Sequence, residues 1–115
     1  MELRIFEYNV TPNVNEKNEF TILMANDTLV MNGNEKNDES KVVAIKKMLE
    51  DNKENIIRLA AENAGNYKGG RQKNLAVKFD NDGETFRIIG NTPSQEISDF
   101  YTKIVTDITN IASKY

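Results

Sequence analysis

The sequence predicts an α+β domain in two layers, an antiparallel sheet of four or five strands with two or three helices on one face. Three observations carry that prediction. Leu75-Ala-Val-Lys-Phe79 and Thr85-Phe-Arg-Ile-Ile89 alternate apolar and other residues at the strand period, around the turn chemistry of Asn81-Asp-Gly-Glu84. Ile97, Phe100, Tyr101, Ile104, Val105, Ile108, Ile111, Ala112 and Tyr115 recur at helical spacing, with Asp99, Lys103, Thr106 and Asn110 on the other side. The helix and strand stripes are comparable in size, so each needs the other as cover. A length of 115 residues predicts one domain, 1–115, with enough core to be stable without disulfides or a metal.

In chain order, Glu2 to Val10 is strand-like, but its apolar set changes parity between Ile5 and Phe6, which predicts either a bulge or burial on both faces. Residues 11–18 form a polar loop containing Pro12. Glu19 to Ala25 then begins a hairpin whose tight turn is Asn26-Asp27; this register pairs Met24 with Leu29 and Ile22 with Met31, and places Phe20 on the same face. The alternation makes these methionines core rather than an adaptable binding surface. Asn32-Gly33 to Asp38 reads as a polar loop, with Asp38 or Ser40 capping the following helix. Val42, Val43, Ile45, Met48 and Leu49, and then Ile56, Leu59, Ala60 and Ala64, make two apolar patches separated by the polar stretch Glu50 to Asn55. One long helix is possible. The reading favoured here is a break near Asn52 and a restart under Asp51-x-x-Glu54. In the second hairpin, Phe79 is placed opposite Phe86 and Val77 opposite Ile88. Gly90-Asn91 ends the strand, and Thr92-Pro93-Ser94-Gln95 reads as a cap, a proline at the first helical position and a closing glutamine.

Composition narrows the function. There is no Cys, His or Trp, which removes thiol nucleophiles, disulfides, imidazole bases and Cys/His zinc sites. A net charge of −3 and a pI near 5.0 disfavour general nucleic-acid binding, whose footprint is a strongly basic surface. No cofactor motif is present, and no apolar run is long enough to span a bilayer, so the expectation is a soluble, cytoplasmic protein without membrane contact. The abundance of Asn, Lys and Ile fits an A/T-rich bacterial or phage genome.

Several stretches invite a chemical reading. Asp80-Asn-Asp-Gly-Glu84 clusters oxygen ligands around a glycine, but placing Gly83 at the sixth position of a calcium loop puts Lys78 at the first and Ile89 at the last, where carboxylates are required. It reads as a hairpin turn. Glu50, Asp51 and Glu54 have helical spacing for an acid and base pair, yet carboxylates so placed normally form a wet helix face. Asn66 to Lys73 is a basic loop without an acid, and it lacks the ending of a phosphate-binding P-loop. Its Tyr67, Lys68, Arg71 and Lys73 are the candidate partner-binding residues, offering an amphipathic ring and positive charge on an acidic chain.

The opening Leu3-Arg-Ile-Phe-Glu-Tyr8, followed by a hairpin, a helix, the hairpin around Asn81-Asp-Gly83 and a proline-started last helix, resembles the element order of emfourin-type inhibitors of thermolysin-like metalloproteases. The resemblance covers most of the chain and implies a small protein that plugs or covers a protease; the loop from Asn9 to Asn18 and the break from Glu50 to Asn55 depart from it. The expected function is therefore a non-enzymatic module that binds another protein, an inhibitor among the options. The alternative is a nucleotide- or phosphate-binding protein or small enzyme in which Lys68 and Arg71 act with a carboxylate between Asp80 and Glu84. A homodimer joined through an edge strand is a third reading.

Overall fold

In the structure, a computed structural model, residues 1–10, 17–36, 38–62 and 71–113 are described, with the backbone alone described for residues 9, 10, 17, 18, 71 and 72. The β-branched and aromatic residues of Glu2–Val10 (β1) form the central strand of one six-stranded antiparallel sheet. It pairs on one side with Lys17–Ala25 (β2), followed outward by Thr28–Met31 (β3) and Asn34–Glu35 (β4). On its other side lie Arg71–Lys78 (β5) and then Thr85–Ile89 (β6). The helices are Glu39–Asp51 (α1), Lys53–Glu62 (α2) and Gln95–Ser113 (α3). The fold is α+β. Its sixth strand, the two-residue β4, arises where a polar loop was expected: Asn32 and Gly33 both adopt positive φ (51° and 81°), the backbone of a tight primed turn that folds Asn34–Glu35 back onto β3.

The core lies between the layers. Leu3, Ile5, Ile22, Met24, Leu29, Leu75, Val77 and Ile88 line the covered sheet face, and Val42, Ile45, Leu49, Ile56, Leu59, Ile97, Tyr101, Ile104 and Ile108 close over it from the helices. The first hairpin has the expected register, Ile22 with Met31 and Met24 with Leu29, around Asn26 at φ 57°. No bulge accommodates the change of parity in β1, whose pairing with β2 runs without a skip from Glu2 to Val10. Phe6 and Tyr8 instead stand half-buried on the opposite face, with ring centroids 6.3 Å apart.

The second hairpin departs from the expected register by two residues. Val77 lies opposite Phe86 and Leu75 opposite Ile88. A two-residue shift leaves every side chain on its expected face, so the core set survives the change. Its cause is the connection: Phe79 leaves the ladder, Gly83 N–H donates to the Asp80 carbonyl at 2.9 Å, and the turn is wider than a two-residue link. Phe79 stays buried beyond the strand end, 6.1 Å from the Phe86 ring and beneath the Lys53 ammonium, 5.1 Å above its centroid.

The helices break where the polar stretch predicts. α1 ends at Asp51, and Asn52 donates its side-chain amide to the Met48 carbonyl at 2.7 Å while its own carbonyl accepts from Ile56 N–H at 2.9 Å. One residue thus closes α1 and opens α2. Asp38 caps α1, accepting from Ser40 N–H at 2.9 Å and Ser40 Oγ at 2.6 Å; these bonds hold its carboxyl below the usual range. Val43, expected within the apolar patch, is instead 57 % exposed, because α1 turns Val42, Ile45 and Leu49 inward.

α3 starts two residues later than its sequence signature suggests. Ser94, not Thr92, is the cap: Ser94 Oγ accepts from Ile97 N–H at 3.4 Å and the Ser94 carbonyl accepts from Ser98 N–H at 3.0 Å. Thr92 is buried among the bends that precede the helix. Starting at Gln95 aims Ile97, Tyr101, Ile104, Val105, Ile108 and Ala112 at the sheet, the stripe expected, whereas Tyr115 lies outside the described residues. Ser94→Ala is therefore expected to cost about 1 kcal/mol through loss of the cap acceptor. Urea midpoints check this; an unchanged midpoint would move the cap elsewhere.

Candidate protein-binding site

Of the residues expected to bind a partner from a loop, two lie in a strand. Tyr67 and Lys68 lie outside the described residues. Arg71 and Lys73 belong to β5, which extends further than the apolar pattern from Leu75 suggests because the nine-residue β1 supplies a partner as far as Asn9, opposite Arg71. Lys73 stands opposite Glu7, its N–H donating to Asn91 Oδ1 at 3.2 Å and its carbonyl accepting from Gly90 N–H at 2.8 Å. It is a half-buried strand residue on the helix side.

The same geometry separates Arg71 from the carboxylates of the expected phosphate-binding arrangement, whose Lys68 lies outside the described residues. Arg71 and Lys78 are seven residues apart along an extended strand, about 23 Å at roughly 3.3 Å per residue, and Asp80 to Glu84 lie beyond Lys78. Arg71 and these acids occupy opposite ends of β5. Asp80, Asp82 and Glu84 are solvent-exposed, as are Glu50, Asp51 and Glu54 around the α1–α2 junction. Among the described residues no three Asp or Glu side chains gather in a cation-binding cluster.

A polar cluster joins Glu7, Lys73 and Tyr101 in a cleft of about 300 Å³ against Thr102, Thr106 and Thr109 of α3. Tyr101 Oη donates to Glu7 Oε1 at 3.0 Å. Burial, reinforced by the Glu7 carboxylate, pushes the phenol well above its ordinary pKa. It stays protonated at any physiological pH and acts as a fixed donor, tying α3 to the sheet centre; a general base needs a pKa near the working pH.

A groove of about 560 Å³ runs between α2 and β6. Its α2 wall is Ile57, Ala60 and Ala61, its floor Leu75 and Phe86, and its outer lip Thr85, Arg87 and Ile89. The sequence explains this wall: Ile56 and Leu59 turn into the core, which leaves Ile57 37 % exposed, and the two alanines keep the helix surface low. Arg58 is drawn away to Glu96 at 2.7 Å and Glu62 at 3.6 Å, which hold its guanidinium charge more firmly and leave the α2 wall apolar, while Asn74 and Glu84 add polar groups to the rest of the lining. Around the lip, on the sheet face away from the helices, a second cleft of about 380 Å³ gathers Arg4, Lys78 and Arg87 around the small Ala76, with Glu2 opposite Lys78 as its one carboxylate, two residues along β1 from Arg4. No ion-pair partner lies within 4.0 Å of these three cations among the described residues.

No family model matches the chain, and neither a curated protein nor a solved structure matches it significantly.

Reading by strand alternation missed both features, because each is made by residues distant in the chain. The signal available was Ile57: it breaks the i, i+3 run of Ile56 and Leu59 and gives α2 a second apolar edge. Among the described residues no helix is long and apolar enough to cross a membrane.

Proposed function

We propose that the chain is a non-enzymatic module that binds another protein, with inhibition of that protein as its mode of action. The observation that carries this reading is the apolar groove between α2 and β6, opening beside a strand edge and flanked by cations on an acidic chain. Exposed apolar surface rimmed by polar residues is found at protein-binding sites, as it is at other docking grooves. The basic residues Lys68, Arg71 and Lys73, with Tyr67, are proposed to attract an acidic partner through their charge. The resemblance in element order to emfourin-type inhibitors suggests a protease as the class of target.

The test uses a partner captured from a host lysate. Ile57→Asp is expected to weaken binding at least tenfold with the protein still folded, at a lower melting temperature because Ile57 is only 37 % exposed, and Ile57→Ala, which adds no charge, is expected to weaken binding in the same direction. Replacing Lys68, Arg71 and Lys73 with Ser is expected to slow association and flatten its salt dependence. Unchanged affinity in all of these variants would overturn the reading.

A further inference from the structure

We infer that the β6 edge accepts an extended segment of the partner as a seventh strand, and that this segment alternates apolar and acidic residues. The inference rests on the binding-module reading and names the kind of partner.

The backbone comes first. Gly90 N–H donates to the Lys73 carbonyl, and the alternation of an antiparallel ladder then makes Ile88 with Leu75 and Phe86 with Val77 the hydrogen-bonded pairs. Thr85, Arg87 and Ile89 consequently turn their N–H and C=O groups outward, three donors and three acceptors in a row. Among the described residues β6 pairs only with β5, and it contains no proline to block the edge. An unpaired row of this kind is satisfied by one ligand shape, an extended chain.

The side chains set its sequence. Residues opposite Phe86 and Ile88 project toward α2, where Ile57, Ala60 and Ala61 meet them with apolar surface. The residue between them, opposite Arg87, projects to the other sheet face beside Arg87 and within the field of Arg4 across Ala76. A carboxylate fits there. The motif is apolar, acidic, apolar.

The same arithmetic disfavours a second copy of this chain. Full antiparallel pairing of β6 with its symmetry mate centres on Arg87 and sets two guanidinium groups directly opposite each other, a destabilising like-charge pair. The opposite sheet edge, β4, has only Asn34 and Glu35 to offer.

The test titrates isotope-labelled protein with the capped peptide Ser-Thr-Val-Glu-Val-Thr-Ser and with its Glu-to-Lys counterpart. The expected result is perturbation and slowed exchange of the Thr85, Arg87 and Ile89 amides, perturbation of the Ile57 methyls, and at least tenfold weaker binding of the lysine peptide. Arg87→Glu is expected to invert that preference. Three results would each overturn the inference: no perturbation at millimolar peptide, a preference indifferent to Arg87→Glu, or a β6-paired dimer by sedimentation with the edge amides already protected. If the peptide fails while Ile57→Asp still weakens the captured partner, strand addition alone is wrong. If the partner ignores Ile57→Asp and the triple Ser substitution, the wider reading falls with it.

Discussion

Phe79→Ala is expected to lower stability by about 3–5 kcal/mol, whereas Phe86→Ala should cost clearly less. The two rings touch, but their environments differ. Phe79 is 7 % exposed, sealed between the end of β5 and the α1–α2 junction, with Lys53 above its face; Phe86 is half-buried on an edge strand that opens into the α2 groove. Truncating Phe79 leaves a cavity that the surrounding helices cannot close without moving, while truncating Phe86 enlarges a groove that water already reaches. Denaturant melts of the two variants decide the matter. Equal losses would mean that the rings are equivalent and that the register placing Phe79 beyond the ladder is wrong.

Gly90→Ala is expected to destabilise by about 1–3 kcal/mol, and more if the ring cannot move. A Cβ at this position would lie 2.4 Å from Tyr101 Cδ1 and 2.7 Å from Cε1 and Cγ. Those atoms belong to a ring held at its far end by Glu7, so it cannot swing aside cheaply. The glycine is required here by this close approach. A double-mutant cycle with Tyr101→Leu provides the check: removing the ring should make the alanine nearly neutral, giving a coupling of at least 1 kcal/mol between sites in contact. Simple additivity would show that Gly90 is needed for another reason.

How far the sequence discloses this fold follows from the range over which each feature is determined. The first hairpin was legible in full, register included, because Asn26-Asp27 fixes a short link and a one-residue slip would expose Met24 and Leu29. The α3 stripe was equally legible, since Ile97, Tyr101, Ile104, Val105, Ile108 and Ala112 of the expected set are buried on one face. The register around Asn81 to Glu84 was not, because a slip of two costs no change of face and only the wider turn geometry chooses between the options. The cap at Ser94 was obscured by Thr92-Pro93, an adequate local start that burial of Thr92 overrides. β4 followed from Asn32-Gly33, a strong hairpin signal that the polar Asn34 and Glu35 conceal. Of the candidate site, Arg71 and Lys73 were visible as charges, but their place in a strand depends on β1. The groove depends on α2 meeting β6, a contact between residues about 30 positions apart that no local pattern encodes.

The central position of β1 bears on the order in which the sheet can be assembled. Its pairing with β2 closes a link of six residues, 11–16, whereas its pairing with β5 closes one of 60 residues, 11–70. For an unstructured link the second closure carries about 2 kcal/mol more lost chain entropy than the first, from the logarithmic dependence on length. The β1–β2 pairing therefore closes at the lower cost in chain entropy, and the joining of β5 and β6 to the other side of β1 carries the larger one.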